Sequence, residues 1–211
     1  GRMYEDRAPW VDHQEVFSAN LAAAIASEVA RLVTLEMESN ITGGPAAEYL
    51  NTAYQKNALK DLRRYVEYGC AKGGLILKPY VTTAELMVQF VQADCFFPIS
   101  FDSSGRISQC VFVEQFRKGK KVYTRLEIHT QQAGRIRITN RVFAATNDYS
   151  LGSEVELGAV PQWAELVPEM VLDGADRLLF GYFRVPLANT ADSDSRGPNG
   201  LRKKTLETKS L

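Results

Sequence analysis

The hydrophobic positions change period part-way along the chain. Phe17, Leu21, Ile25, Val29 and Leu32 recur every three or four residues, as on one face of a helix. Alanines at 22, 23, 24, 26 and 30 favour the helix and allow close packing. Asp12 followed by Glu15 reads as a capping box, and Asn40-Ile-Thr-Gly-Gly-Pro45 as a stop. Leu50, Tyr54, Ala58, Leu62 and Tyr65 repeat the helical period and predict a second helix from Ala46 to Ala71, closed by Gly73-Gly74. Its other side carries Lys56, Lys60, Arg63, Arg64 and Glu67, the pattern of a solvated face.

Beyond Gly74 the period falls to two. Short strands are expected at Leu75–Val81, with Pro79 at an edge or end, and at Leu86–Val91. An antiparallel meander follows. Phe96–Phe101 turns at Asp102-Ser-Ser-Gly105 into Ile107–Val113, and further strands run from Lys121 to Thr130 and from Gly134 to Ala145. In the third strand Val122, Thr124, Leu126 and Ile128 alternate with Tyr123, Arg125, Glu127 and His129. In the fourth, Arg135, Arg137, Thr139 and Arg141 alternate with Ile136, Ile138 and Val142, and one of these arginines is the expected cross-strand partner of Glu127. A short strand at Val155–Leu157, a helical turn started by Pro161, and strands at Glu169–Leu172 and Leu178–Arg184 complete the pattern. The fold class is α+β: two long N-terminal helices packed on a mainly antiparallel sheet. Residues 1–191 form that domain, and the shift to Asn, Asp, Ser, Gly and Lys marks 192–211 as a poorly ordered tail.

Composition narrows the classes. Formal net charge is zero, so whole-chain charge argues for neither nucleic acid nor anionic membrane. No apolar run reaches the length of a membrane span, and Gly1-Arg-Met-Tyr-Glu-Asp-Arg lacks the apolar core of a signal peptide. Three cysteines without close spacing point to a reducing, cytoplasmic setting. His13 and His129 are the only histidines, and there is no phosphate loop, dinucleotide fingerprint or zinc spacing, so no metal or cofactor is expected. Cys95 and His129 are the one nucleophile–base pair to weigh; Cys95 lies inside an aromatic strand, where burial as a small hydrophobe is the simpler role. Arg117, Lys118, Lys120 and Lys121 cluster at a hairpin tip. Solvation explains them, and contact with DNA or a partner is the alternative.

Several ordered stretches resemble the portal proteins of tailed bacteriophages, in the group from phages and prophages of Gram-positive bacteria. They are Asn57-Ala-Leu-Lys60, Gly73-Gly-Leu-Ile-Leu-Lys-Pro-Tyr-Val81 and Val91-Gln-Ala-Asp-Cys-Phe-Phe-Pro-Ile-Ser-Phe-Asp102. Further on are Tyr123-Thr-Arg-Leu-Glu127, Ile138-Thr-Asn-Arg141 and Leu179-Phe-Gly-Tyr-Phe-Arg-Val-Pro-Leu-Ala-Asn189. The resemblance implies a non-enzymatic virion component matching the N-terminal wing of a portal subunit. Such subunits form a ring, typically dodecameric, at one head vertex, and assemble in the host cytoplasm. Double-stranded DNA passes through the ring, and terminase, head completion, scaffold and capsid proteins are its partners. The stretch from Arg196 to Leu211 does not resemble the stem that follows the wing in that family, so a truncated or prophage-remnant form is expected.

Overall fold

The computed structural model describes residues 19–147 and 149–185. The expected Asp12 cap and the 192–211 tail lie outside these residues. The described chain is α+β, its strands pair antiparallel throughout, and it falls into two compact units: residues 19–93 with 180–185, and residues 94–179.

The first unit contains α1 (Leu21–Leu35), α2 (Ala47–Asn57), α3 (Leu62–Lys72), β1 (Gly74–Val81), β2 (Leu86–Gln92) and, from the far end of the described chain, β9 (Gly181–Arg184). The single second helix expected over 46–71 is two helices separated by a 3-10 turn at Leu59–Asp61. Tertiary contacts account for the break. Asn57 Nδ2 donates to the Leu86 carbonyl at 2.7 Å and Lys56 Nζ reaches Glu85 at 2.7 Å, tying the end of α2 to the start of β2. Ala58 is then fully buried. Helix propensity is weak enough to yield to tertiary contacts at such a point. Gly73 ends α3 in the left-handed conformation with φ 84°, as the Gly-Gly signal indicated.

β1 is the centre of a three-stranded sheet in the order β2-β1-β9. β9 covers only Gly74 to Leu77, so Pro79 sits where β1 has β2 as its one neighbour and its missing N–H removes no bond on the other side. Gly74 sits at a close approach: a β-carbon there would lie 3.0 Å from the Tyr182 ring and 3.1 Å from the Phe183 carbonyl oxygen. α2 packs on β2, and α3 on both β1 and β2; Tyr65 stacks on Phe90 with ring centroids 4.1 Å apart.

The second unit is the expected meander: β3 (Phe96–Phe101), β4 (Ile107–Lys118), β5 (Lys121–Gln132) and β6 (Arg135–Ala145). The outer edge of β6 takes two short strands, β7 (Ser153–Val155) beside Val142–Ala144 and β8 (Glu169–Asp173) beside Arg135–Thr139. Asp102 builds the first turn as an Asx turn, its Oδ1 accepting from the backbone N–H groups of Ser104 and Arg106 and from the Ser104 hydroxyl. The Ser104 hydroxyl first, then the Arg106 N–H and the Ser104 N–H, hold its carboxyl below the usual aspartate range.

The two longer hairpins turn in two residues each. At Gly119-Lys120 only the glycine has positive φ, the signature of type II′. At Ala133-Gly134 both do, at 51° and 74°, the signature of type I′. Ala133 therefore holds a left-handed conformation that disfavours a β-carbon by about 1 kcal/mol. Asparagine is the natural occupant. Ala133→Asn should raise stability by about 0.5–1 kcal/mol in urea titrations with an unchanged m-value; a loss of stability would contradict the type I′ assignment.

Candidate functional site

Between β7 and β8 the chain crosses one face of the meander. Two 3-10 turns, Leu157–Ala159 and Pro161–Trp163, place Val160 and Trp163 on Val142, with Phe116, Tyr123, Val155 and Leu157 packed around them. Cross-strand partners share a face. Register therefore puts Phe96, Cys110, Phe112, Glu114, Arg125, Glu127, His129, Asn140 and Val142 on this side of the sheet. The charged positions of β5 thus point inward. Arg125, Glu127 and His129 are 8%, 8% and 4% exposed, whereas Leu126 and Ile128 on the other face are only half-buried.

The inward charges form a connected ladder. Arg125 Nη2 donates to Glu114 at 2.7 Å. Its Nη1 donates to Glu127 Oε2 at 3.0 Å and to Asn140 Oδ1 at 2.9 Å. Glu127 Oε1 lies 2.7 Å from His129 Nε2, which as donor to a carboxylate carries the proton. Asn140 in turn ties the ladder to the crossing segment. Its Nδ2 donates to the Val167 carbonyl and its backbone N–H to that of Pro168, while the Arg125 guanidinium lies 5.9 Å from the Trp163 ring centre. The His129 ring meets Phe112 edge-on at 5.0 Å, and its Nδ1 is buried with no hydrogen-bond partner.

This parity corrects the expected pairing of Glu127. Its residue opposite on β6 is Asn140, and the arginines of β6 fall on the other face. There Arg135 pairs with Asp173 at 2.7 Å, Arg137 approaches Glu169 at 3.7 Å, and Arg141 donates through Nε to Glu154 at 2.8 Å. Those pairs link β6 to β7 and β8; all are exposed and contribute little individually.

Cys95 and His129 are not brought together. Cys95 lies in a 3-10 turn before β3, whereas Pro98 is the β3 residue in register with Cys110 and thence with His129. Two strand spacings and a further stretch of chain separate them, more than about 10 Å. The thiol opposite His129 is that of Cys110, which is fully buried. The ladder thus contains the orienting half of a proton-relay site, a carboxylate holding an imidazole, in a place built for packing. Among the described residues no group of three or more His, Cys, Asp or Glu side chains is arranged to hold a metal, and no helix is long and apolar enough to cross a membrane.

The basic residues singled out from the sequence occupy the β4–β5 tip. Arg117, Lys118, Lys120 and Lys121 are all exposed. Lys118 and Lys121 stand directly opposite each other across the ladder, a like-charge pairing that weakens a hairpin. No protein-family model and no curated protein matches the chain.

Proposed function

We propose that the chain is a structural, non-enzymatic subunit of the portal type, corresponding to the wing of a head–tail connector in a tailed phage or prophage. The observation that carries the reading is where the resembling stretches lie. Gly73–Val81 and the stretch beginning at Leu179 are about a hundred positions apart, yet β1 and β9 pair, with Leu75 opposite Phe183 and Leu77 opposite Gly181. Asn57-Ala-Leu-Lys60 spans the end of α2, the break and its 3-10 turn, and Gly73-Gly74 combines a left-handed cap with a close approach of Tyr182. Two resembling stretches far apart in the chain thus meet in one sheet, and one of them carries a left-handed helix cap, as expected of a shared scaffold. On this reading the partners are further copies in a ring, terminase, head completion, scaffold and capsid proteins, and double-stranded DNA. The location is the head vertex, after assembly in the bacterial cytoplasm.

The test is recovery of the tagged chain from induced cells of the organism that encodes it. The expected result is co-sedimentation with heads or portal-sized rings, seen by electron microscopy and mass spectrometry. Absence from every head-sized or ring-sized fraction would overturn the proposal.

The hairpin tip is the surface best suited to the phosphate backbone, because the repulsion between Lys118 and Lys121 is relieved when an anion lies between them. Charge reversal of Lys118, Lys120 and Lys121 should abolish retention on duplex DNA at low salt. For a single Lys→Ala change the log–log salt slope should fall by about 0.9 per phosphate contact removed. Binding unchanged by the triple reversal would place any DNA contact elsewhere.

A further inference from the structure

α1 is turned with its small residues inward. Ala26 and Ala30 are 5% and 0% exposed and the helix packs against α3, while the Thr34 hydroxyl bonds back to the Ala30 carbonyl on the same side. The large apolar residues point the other way: Leu21 is 67% exposed, Ile25 56%, Leu32 59% and Leu35 63%. With Glu28 these positions are spaced four, three, four and three residues apart, the 3.5-residue period of a two-helix seam rather than the broader stripe of a helix lying on a core. Val29 and Val33, 40% and 47% exposed, widen the stripe on one flank. Solvent-facing leucines and isoleucine in so regular a row are a contact surface.

The charges say what covers it. Glu28 and Arg31 are the only charged residues in α1, and they bond to each other at 2.7–2.8 Å on the rim of the stripe. We propose that α1 pairs with α1 of a second copy of this chain, antiparallel and about a two-fold axis. In the register that sets Ile25 against Leu35 of the other copy, Glu28 falls beside Leu32 and its neighbour Arg31 of that copy. The axis repeats the arrangement, so each Glu28–Arg31 pair exchanges partners and no charge is stranded. A parallel in-register pairing sets Glu28 against Glu28 in the seam and is disfavoured. The interface is isologous and closes at two copies. One seam of four turns lies below the ~1,200 Å² of stable complexes, so the dimer is weak and reversible. The inference is independent of the portal reading, since a two-fold pair through α1 is not the heterologous contact that builds a ring.

The test is sedimentation velocity of the full chain over a concentration series. The wild type should pass from monomer to dimer, and Ile25→Lys with Leu32→Lys should remain monomeric at the highest concentration with an unchanged far-UV spectrum, both sites being exposed. Glu28→Arg alone and Arg31→Glu alone should each shift the midpoint at least tenfold to higher concentration, while the double exchange, Glu28→Arg with Arg31→Glu, should return it to near the wild-type value. A wild type that is monomeric throughout overturns the pairing, as does a dimer insensitive to the Ile25 and Leu32 changes. A double exchange no better than the singles overturns the antiparallel arrangement.

Discussion

Replacing Glu127 with leucine should cost about 3–5 kcal/mol of unfolding free energy, far more than the isolated carboxylate is worth. Glu127 is the joint of the inward ladder: one oxygen accepts from Arg125 and the other faces His129 Nε2. Removing it strips Arg125 of one of its two carboxylates and leaves the buried imidazole with no hydrogen bond at either nitrogen. Glu114 remains, but at 47% side-chain exposure it is largely screened and compensates Arg125 poorly. The physical claim is that the ladder is costly to break and not intrinsically stabilising. Taking out both charges, with Arg125→Met added to Glu127→Leu, should therefore recover at least half of the loss, a coupling on the order of 2 kcal/mol in a double-mutant cycle. Glu127→Gln keeps an oxygen acceptor and should fall between. Urea unfolding of a Trp10→Phe background, followed by Trp163 fluorescence, reads this directly, because Asn140 and Arg125 connect the ladder to the segment carrying Trp163. Additive single losses would mean that the ladder residues act separately and that each is held by its own local packing.

The ladder marks the limit of what the sequence revealed. Alternation in β5 separates two faces but does not say which is covered. Val122 and Thr124 are buried on one face, and Arg125, Glu127 and His129 are buried on the other, where Arg125 approaches Trp163. The second set is tolerated there because its three polar side chains bond to one another. That property belongs to the assembled sheet and to no single strand. Parity was nearer to hand. A two-residue turn at Ala133-Gly134 fixes the sum of paired residue numbers, so Glu127 must oppose Asn140 and cannot share a face with Arg135, Arg137 or Arg141.

Elements set by local chemistry were legible. The Asx turn at Asp102, the left-handed Gly73 and the helical turn opened by Pro161 all follow from residues within a few positions of one another. The break between α2 and α3 was not: it falls where the end of α2 is tied to Leu86, 29 positions on from Asn57. The orientation of α1 was also hidden. Its alanines and its large apolar residues both keep helical period, and only packing against α3 shows that the alanines are inside.

Gly152→Ala should be the most damaging substitution of a single methyl group in the second unit. Gly152 adopts φ 77°, and a β-carbon built there would stand 1.9 Å from the Ala144 carbonyl oxygen, 2.6 Å from its carbonyl carbon and 2.9 Å from the Ala145 Cα. All three are backbone atoms of β6, held on the other side by β5, with Thr124 opposite Phe143 and Tyr123 opposite Ala144. No rotamer change relieves the clash, so β7 must leave. It takes with it the Ser153–Ala144 register pair, the Glu154–Arg141 ion pair and the contact of Val155 with the Val142, Val160 and Trp163 cluster. Loss of a buried aliphatic contact and a strand pairing, together with left-handed strain, amounts to about 3 kcal/mol or more. Gly174 provides the control. Its φ is 74°, almost the same, but a β-carbon there meets nothing within 4 Å. Gly174→Ala should therefore show the conformational term alone, about 1 kcal/mol. The difference between the two variants, measured by urea titration and by the red shift of Trp163 emission, isolates the steric contact from the backbone strain. Equal losses at both sites would mean that β7 does not seat on β6 as described. A larger loss at Gly152, with Trp163 exposed before the rest of the sheet unfolds, would show that this strand holds the crossing segment over the buried charges.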